Sequence, residues 1–422
     1  PEMFPGVLGH SIIGKALKEK KWSLETVNLH DFGCDERNSI DDIPFGGGPG
    51  MIIRPDVWNS ETRIRLSNAH GSNSVTFDDV FIGLQDMSSA VLRGTNQPIT
   101  FSGKKVVEIQ KGKHVFSDPV PLPFVSRLND SILSSKSLAV SFHVCGETGP
   151  MTYHAKALQT SYLSAQGTGS FGSSERESNF PYPTTSWFFL DAVDMNMAAE
   201  TRVVVAFGDS ISDGSGSTIN GFDRWPDVLS RRLHERYGNS VSLINQGIGG
   251  NQVLGPSEDI PLNERLGGVS ALSRLERDVI SMSGVSTVIW MEGINDFGHA
   301  KANSVEVIKG ICQGITRLRE GIPGVRIILG TLTPALNATT GGHGTKAVDQ
   351  NRRAFNEFVK STNLIDGFID FDAVTVDSST GELRLEMRPG SSIGGAGDGL
   401  HPNRIGYQAM AAAVSLDMII GD

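Results

Sequence analysis

From about residue 200 to the end of the chain, short runs of β-branched apolar residues alternate with longer amphipathic stretches. The apolar runs predict strands at 202–207, 241–246, 285–291, 325–331 and 367–371. The amphipathic stretches repeat apolar residues at intervals of three and four, and they predict helices at 225–237, 271–281, 304–320, 345–361 and 403–416. Strands that are apolar throughout are buried on both faces, so helices must cover both sides of the sheet. The pattern therefore predicts a three-layer α/β domain over residues 199–422.

The preceding segment, residues 59–198, has a different pattern. Its short alternating stretches are separated by Gly, Pro, Asn and Ser, and they lie at 62–66, 74–82, 105–109, 138–144 and 185–190. Helical periodicity is not evident there, and this combination is typical of a β-sandwich. We therefore predict a jelly-roll-like β-sandwich domain before the α/β domain, with residues 1–58 as a third segment.

Composition and charge limit the classes of protein to which this chain can belong. Of the 422 residues 38% are hydrophobic and 20% charged, as in ordinary globular proteins, and the net charge of -10 argues against a nucleic-acid partner. No apolar run reaches the roughly 18 residues of a membrane span, so no membrane partner is expected. The chain begins at Pro1 without a charged and then apolar leader, which predicts a cytoplasmic protein. Cys34, Cys145 and Cys312 are widely separated, so we expect no metal site.

A serine directly follows the first predicted strand of the α/β domain, in Gly208-Asp209-Ser210. Binding sites in open α/β sheets form outside the carboxyl ends of the strands, which makes Ser210 a candidate nucleophile. A serine after a strand is also a common helix cap, so this motif alone is a weak signal.

Asp398 and His401 lie three positions apart, just before the last predicted helix. A serine hydroxyl is a poor nucleophile at neutral pH and needs an adjacent base, normally an imidazole held by a third group. Asp398 would accept a hydrogen bond from one ring nitrogen of His401, while the other nitrogen faces Ser210. The simpler interpretation is that Asp398 caps a turn and His401 lies on the surface, and this motif alone does not separate the two.

Two further loops offer hydrogen-bond donors. The glycine-rich segment before Asn251 follows the second strand, and Gly293-Ile294-Asn295 follows the third. Acyl transfer builds negative charge on a carbonyl oxygen, and positioned N–H groups stabilise it. We therefore predict an oxyanion hole made of the N–H groups of Ser210 and Gly250 and the side-chain amide of Asn295. Each loop alone fits ordinary turn chemistry, but four such elements in this order favour one catalytic site.

Together these four segments resemble the signature blocks of the SGNH, or GDSL-type, hydrolase family, with which the likeness covers about residues 200–420. The resemblance implies a nucleophile, an acid, a base and two oxyanion-hole residues at Ser210, Asp398, His401, Gly250 and Asn295, respectively. It also implies a flavodoxin-like sheet and the hydrolysis of carboxylic esters through an acyl-enzyme, with neither a metal nor a cofactor.

The predicted sandwich resembles the N-terminal module of a two-domain subgroup of the same family, in segments 62–68, 146–150 and 154–162. Carbohydrate-binding sandwiches use exposed aromatic side chains, and the candidates here are Trp187, Tyr153 and Tyr162, although core packing is the more ordinary role for each. His154 could line the substrate cleft, and a structural histidine is the alternative.

Residues 1–58 resemble the start of bacterial tRNA (guanine-N1)-methyltransferase, in segments 1–4, 9–14 and 41–51. That enzyme binds S-adenosylmethionine in a knotted core, and nothing that resembles this core follows here. We therefore expect no methyltransferase activity, and we interpret the segment as a gene fusion or a cloning junction.

One further serine motif, Gly390-Ser391-Ser392-Ile393-Gly394, matches the Gly-x-Ser-x-Gly pattern of a different hydrolase fold. That pattern requires a buried strand before the serine and a helix after it, and the sequence predicts neither. We interpret this segment as the loop that delivers Asp398 and His401.

These observations predict a carboxylester hydrolase for short acyl groups, such as acetyl groups, with a small-molecule or carbohydrate ester as its substrate. The first alternative is a carbohydrate-binding or adhesion protein on an inactive hydrolase scaffold. The second is an RNA-modifying protein acting through residues 1–58, which the net charge and the missing cofactor core disfavour. The acyl length, the alcohol and the oligomeric state are open at this point.

Overall fold

A computed structural model describes residues 49–256, 260–261, 265, 267–390 and 397–421 of the chain. Most of the segment that resembles a methyltransferase, residues 1–48, lies outside the described residues, as does most of the second serine motif at 391–396. The described residues form two groups of secondary-structure elements. One group consists mainly of antiparallel strands, and the other is an α/β group.

The α/β group is built on five parallel strands. In chain order they are β14 (Arg202–Gly208), β15 (Val241–Gly247), β16 (Val285–Met291), β17 (Arg326–Gly330) and β18 (Gly367–Ile369). They lie in the order β15-β14-β16-β17-β18, and every neighbouring pair is parallel. This is the 2-1-3-4-5 order of flavodoxin-like sheets. The prediction of an α/β domain with a flavodoxin-like parallel sheet is confirmed.

Helices cover this sheet on both sides, and most of them coincide with the predicted ones. They are α2 (Ser210–Asp213), α3 (Trp225–Tyr237), α4 (Ala271–Leu275), α5 (Ile294–Gly298), α6 (Ser304–Gly321), α7 (Lys346–Ser361), α8 (Phe371–Thr375), α9 (Arg404–Ala412) and α10 (Leu416–Ile420). A π-helical segment, Glu276–Ile280, extends α4. The apolar stripes of α3, α6 and α7 bury Leu229, Ile311 and Phe355 in one core with the sheet.

Two predicted elements of the α/β domain end earlier than expected. The last strand stops at Ile369, because Asp370 caps α8 by accepting a hydrogen bond from the N–H of Ala373. The last helix was predicted to run without a break, but α9 ends at Ala412 and α10 starts after Ser415, whose hydroxyl accepts from the N–H of Met418. In both places a side-chain cap decides the boundary.

The antiparallel group contains β1 (Pro49–Ile53), β2 (Glu61–Ser67), β3 (Val75–Leu84), β4 (Gln97–Pro98), β5 (Val107–Ile109), β6 (His114–Phe116), β7 (Val120–Pro121), the short helix α1 (Asp130–Leu133), β8 (Leu138–Cys145), β9 (Tyr153–His154), β10 (Ser161–Leu163), β11 (Tyr182–Thr184), β12 (Trp187–Phe188) and β13 (Leu190–Met195). One sheet has the order β11-β10-β1-β8-β3-β4 with β5 on β3, and another has β13-β2-β6 with β7 on β2. Both sheets contribute to one apolar core, for example through Ile64, Phe77 and Phe142.

The predicted strand at 185–190 is divided in two. The backbone of Phe189 has φ of 57°, a conformation that breaks a strand, so β12 ends before it and β13 begins after it. β12 pairs with β9 in a separate two-stranded ribbon, which brings Trp187 opposite His154.

Residues 49–56 join the two groups. β1 pairs antiparallel with both β8 and β10, so residues 49–53, which fall within the predicted N-terminal segment, lie inside the larger antiparallel sheet. Shortly after β1, a carboxylate oxygen of Asp56 accepts from the N–H of Leu243 at 2.5 Å and lies 3.1 Å from Nε2 of His234. The two partners belong to β15 and α3, so this carboxylate connects the antiparallel group to the α/β group.

Candidate active site

Ser210 lies just past the carboxyl end of β14, an inner strand of the parallel sheet, as the first residue of α2. Asp209 caps this helix, since its carboxylate accepts from the N–H of Ile211 at 3.0 Å. A side chain at Gly208 would bring a Cβ within 2.3 Å of the carbonyl oxygen of Met291, so glycine is needed where β14 meets β16. The strand, the glycine and the cap together fix the position of a serine that is only 5% exposed.

His401 connects Ser210 to Asp398. Its Nε2 atom lies 2.8 Å from Oγ of Ser210, and its Nδ1 atom lies 2.5 Å from Oδ2 of Asp398. The other oxygen of Asp398 accepts from the backbone N–H groups of Leu400 and His401, both at 2.9 Å. The turn before α9 thus holds the carboxylate from its own backbone, and the carboxylate in turn fixes the orientation of the imidazole.

The electrostatics of Asp398 favour its ionised form. Partial burial works to raise the pKa of this carboxyl, but the hydrogen bond and charge of His401, with the two backbone N–H groups, outweigh it. The pKa of Asp398 is consequently held well below its usual range. A carboxylate that stays ionised can stabilise positive charge on the imidazole.

Donor groups from three chain segments lie around Ser210. Within the described residues, no hydrogen-bond acceptor takes the N–H of Ser210 or of Gly250. Gly250 has φ of 80°, and a Cβ built on its neighbour Gly249 would be 4.0 Å from Cβ of Ser210. The side-chain amide of Asn295 donates one hydrogen to the carbonyl oxygen of Asn251 at 2.9 Å, which leaves its second hydrogen for another acceptor.

Residues 339–343 form a loop that no sequence motif indicated. This loop contacts both Asn295 and Asp398. Nε2 of His343 lies 3.0 Å from Oδ1 of Asn295, and Nδ1 of His343 lies 2.8 Å from the carbonyl oxygen of Thr340. On the same loop, the N–H of Thr339 donates to the carbonyl oxygen of Asp398 at 2.8 Å. Burial lowers the pKa of His343, as do the nearby His299 and other cationic groups.

Arg274, which no sequence motif indicated, binds the ends of β14 and β15 and the loop that follows β15. Its fully buried guanidinium donates to the carbonyl oxygens of Gly208 and Gln246 at 2.9 and 2.8 Å, and to Oδ1 of Asn251 at 2.7 Å. It also lies 4.0 Å from the ring centroid of Phe207. Because Gly208 and Gln246 lie at strand ends and Asn251 directly follows Gly250, Arg274 fixes the spacing between the Ser210 and Gly250 segments.

Three buried acidic side chains, Asp209, Glu292 and Asp296, lie close to the ends of the parallel strands. Burial raises the pKa of Asp209 to about 7, of Glu292 to about 8 and of Asp296 to about 6. Asp296 accepts from the N–H groups of Val253 and Leu254, whereas Oδ2 of Asp209 and Oε1 of Glu292 have no hydrogen-bond partner within the described residues. These groups therefore carry less negative charge near Ser210 than three free carboxylates would.

Among the described residues, metal-ligating side chains cluster at one place, where Asp78, His143 and Cys145 meet on β3 and β8 of the antiparallel group. Nδ1 of His143 lies 2.6 Å from Oδ1 of Asp78 and 3.8 Å from Sγ of Cys145. None of the three belongs to the strands or turns that carry Ser210, His401 and Asp398. Separately, no helix among the described residues has the length and apolar character needed to cross a membrane.

The structure brings all five predicted site residues to the carboxyl ends of the parallel strands. The aromatic candidates differ from one another: Tyr153 is 58% exposed and stacks on Phe188, whereas Trp187 donates from Nε1 to the carbonyl oxygen of Ile52 at 3.2 Å and packs against the antiparallel core. Tyr162 packs beside a small apolar cluster in the same sheet. His154 lies against the α/β group, with Nε2 2.9 Å from Oδ1 of Asp213.

Comparison with known proteins finds matches to two separate parts of the chain. The model of the tRNA (Guanine-1)-methyltransferase family matches residues 1–74. The tRNA (guanine-N(1)-)-methyltransferase of Rhodospirillum rubrum is 60% identical over 57 residues, which are 14% of this chain and 24% of that protein. That of Bartonella bacilliformis is also 60% identical over 57 residues, 14% of this chain and 25% of that protein. The chain thus spans about a quarter of the length of these curated relatives.

The remaining similarities concern the α/β domain. A carbohydrate acetylesterase family member from Sinorhizobium meliloti is 18% identical with a TM-score of 0.39, and the match covers 52% of this chain and 100% of that one. An aryl esterase from M. smegmatis is 14% identical with a TM-score of 0.38, covering 50% and 95%. The model of the GDSL-like Lipase/Acylhydrolase family matches residues 206–409. Over residues 206–409 the α/β domain of this chain is therefore similar to the GDSL-like lipase/acylhydrolase family, the SGNH type of serine esterase.

Proposed function

We propose that this chain hydrolyses carboxylic esters of short acyl groups through Ser210, His401 and Asp398. The observation that carries the proposal is the continuous contact from Oγ of Ser210 to Nε2 of His401, at 2.8 Å, and from Nδ1 of His401 to Asp398, at 2.5 Å. A hydroxyl, an imidazole and a carboxylate in this order are what a serine nucleophile requires at neutral pH.

In the first half of the reaction, Oγ of Ser210 attacks the carbonyl carbon of the ester while its proton passes to Nε2 of His401. The ionised Asp398 stabilises the imidazolium that forms. The negative charge on the former carbonyl oxygen is stabilised by the N–H groups of Ser210 and Gly250 and by the free amide hydrogen of Asn295. Collapse of this intermediate breaks the ester C–O bond, and Nε2 gives its proton to the departing alcohol oxygen.

The second half of the reaction regenerates the enzyme. His401 takes a proton from a water molecule, whose oxygen attacks the carbonyl carbon of the acyl-enzyme. The tetrahedral intermediate again places its negative charge on the proposed oxyanion hole. When the bond to Oγ breaks, Nε2 returns the proton to Ser210 and the carboxylic acid is released. Every proton is carried by His401, so neither a metal ion nor a cofactor is needed.

The preference for short acyl groups, such as acetyl, is part of the same proposal. One residue, Asp209, separates β14 from α2, and two residues separate β16 from α5. These two connections are too short to fold over Ser210 and enclose an extended acyl chain, which supports a small acyl group. Acetylated carbohydrates are one class of substrate that fits such a site.

We further propose that residues 59–198 form a jelly-roll-like β-sandwich that acts as an accessory domain. Its two larger antiparallel sheets share one apolar core, which supports a face-to-face arrangement. The predicted boundary at residue 58 places β1 before this domain. We propose that β1 nevertheless belongs to the domain, as a strand of its larger sheet.

The test is turnover of p-nitrophenyl acetate, butyrate and octanoate, and of acetylated xylan, by the full chain and two serine variants. Ser210→Ala is expected to remove nearly all turnover. Ser212→Ala is the matched control, because its buried hydroxyl has no hydrogen-bond partner within the described residues and lies on the same helix. Labelling of Ser210 by a fluorophosphonate separates a hydrolase from a binding protein on an inactive scaffold. Full activity of Ser210→Ala would contradict the proposal.

A further inference from the structure

His154 belongs to the antiparallel group, but its hydrogen-bond partner belongs to the α/β group. Its Nε2 atom lies 2.9 Å from Oδ1 of Asp213, the last residue of α2, which begins at Ser210. A carboxylate oxygen only accepts, so Nε2 is the donor. Burial works to lower the pKa of His154, but the charge of Asp213 and the hydrogen bond to it outweigh this and raise the pKa, which keeps a hydrogen on the ring.

Asp213 uses its second oxygen on the loop that carries the proposed oxyanion donor. Oδ2 accepts from the N–H of Gly249 at 3.1 Å, and Gly249 directly precedes Gly250. The contact is a close one, since a Cβ built on Gly249 would lie 3.5 Å from Oδ2 of Asp213 and 4.0 Å from Cβ of Ser210. The Asp213 carboxylate therefore connects the helix of the proposed nucleophile to the proposed oxyanion loop.

Asp213 is only 4% exposed, so its carboxylate depends on donors from the protein. Among the described residues the α/β group supplies one donor, the N–H of Gly249, and the antiparallel group supplies the other, His154. Without His154, Oδ1 would be a buried acceptor with no partner, and the carboxylate would be free to turn away from Gly249.

The ribbon that carries His154 is itself held firmly. Trp187 pairs with His154 across the ribbon, and its indole N–H donates to the carbonyl oxygen of Ile52 at 3.2 Å. The hydroxyl of Ser186 donates to the carbonyl oxygen of Ala155 at 2.8 Å, on the other side of His154. A histidine on such a fixed ribbon can hold Asp213 in one orientation.

We infer that His154 is a positioning residue supplied by the antiparallel group, which orients Asp213 and through it the Gly249–Gly250 segment of the oxyanion hole. The antiparallel group thereby completes the active site of the α/β domain. This inference rests on the proposed function for its effect on turnover, but the coupling from His154 to Gly249 is a physical property of the loop that is measurable without any substrate.

The experiment compares three variants of the full chain. His154→Ala removes the donor, and His154→Gln keeps a donor, since the side-chain amide nitrogen of glutamine can occupy the position of Nε2. Thr160→Val is the matched control for contact between the two groups. It removes the hydroxyl that accepts from Nδ2 of Asn220 at 2.8 Å, a contact that does not involve Asp213. Circular dichroism and thermal unfolding verify that each variant is folded.

Two readouts are used. With p-nitrophenyl acetate, His154→Ala is expected to lower kcat about tenfold with little change in KM, the order of effect of one lost hydrogen bond. His154→Gln and Thr160→Val should stay within about twofold to threefold of the parent chain. In hydrogen–deuterium exchange, the peptide that contains Gly249 and Gly250 should exchange faster in His154→Ala only.

The outcomes distinguish the proposed hydrolysis from the proposed coupling between His154 and Gly249. A parent chain without turnover or fluorophosphonate labelling contradicts the proposed function, while faster exchange at Gly249 in His154→Ala still supports the coupling. Unchanged exchange and unchanged kcat in a folded His154→Ala variant overturn the inference, as does a Thr160→Val variant that reproduces the effects of His154→Ala.

Discussion

Nε2 of His401 lies 2.8 Å from Oγ of Ser210, although the two residues are 191 positions apart in the chain. The contact forms because Ser210 is separated from the end of β14 by only one residue, while His401 lies on the turn before α9, which packs against the same sheet. Asp398 fixes this turn from within, through its hydrogen bonds to two backbone N–H groups. The turn and the strand end together define the geometry on which the proposed hydrolysis depends.

Replacement of Asp398 by asparagine should lower kcat strongly while leaving the fold intact. The amide can hold the imidazole in the wrong tautomer and cannot stabilise an imidazolium, so a loss of about 10³-fold to 10⁴-fold is expected. Steady-state kinetics with p-nitrophenyl acetate measures this loss. Thr340→Val removes only a 3.4 Å contact to Oδ2 of Asp398 and should change kcat little. A nearly active Asp398→Asn variant would exclude Asp398 as the acid.

Asn295→Ala should lower kcat by about 10²-fold to 10³-fold, because one donor to the developing oxyanion is lost. The substrate in its ground state carries little charge on this oxygen, so KM should change much less. Kinetics of the purified variant, with circular dichroism as the check on folding, provides the measurement. An increase in KM at constant kcat would instead assign Asn295 to substrate binding.

The close approach of two glycines predicts a sharp difference between neighbouring variants. A Cβ on Gly267 would lie 2.2 Å from the carbonyl carbon of Gly250, whereas among the described residues a Cβ on Gly268 would meet only Ile248, at 4.0 Å. Both glycines have positive φ, of 79° and 75°, so alanine costs roughly 1–2 kcal/mol in backbone strain at either position. Gly267→Ala should therefore lower kcat by displacing Gly250, and Gly268→Ala should lower stability alone.

Chemical denaturation and kinetics of the two glycine variants, measured side by side, test this difference. Equal loss of kcat in both variants would mean that strain in the loop, rather than contact with Gly250, limits the site.

Glu292 gives a pH dependence of stability. Burial raises its pKa from the usual 4.5 to about 8, so the folded protein holds a proton in this interval that the unfolded chain has released. Unfolding then releases a proton, and the free energy of unfolding should fall as pH rises from about 5 to about 8, by at most about 1.4 kcal/mol per pH unit for one group.

Glu292→Gln removes this proton while keeping an acceptor for the indole N–H of Trp290. The stability of the variant relative to the parent chain should therefore increase with pH across the same interval. Urea denaturation at pH 5, 6.5 and 8 measures the difference. A difference that does not vary with pH would show that Glu292 is already ionised in the folded protein.

Most of the α/β domain follows from local pattern. Five apolar runs and their intervening amphipathic stretches gave the parallel sheet and its helices, and α3 and β16 have the predicted boundaries. Errors occurred where one side chain decides the boundary, as at Asp370 and Ser415, or where an unusual backbone angle breaks a strand, as at Phe189. Apolar periodicity carries no information about such single positions.

By itself the sequence determined the α/β class and the five candidate site residues, because each of these residues lies directly at the end of a periodic element and parallel strands bring their carboxyl ends to one edge. Only the tertiary structure revealed the contacts of Arg274, His343 and His154 with that edge. None of the three follows a strand, and their partners lie on other segments, so only packing brings them to the site. Local pattern reflects burial and backbone preference, whereas contacts between distant side chains depend on how the layers and the two groups fit together.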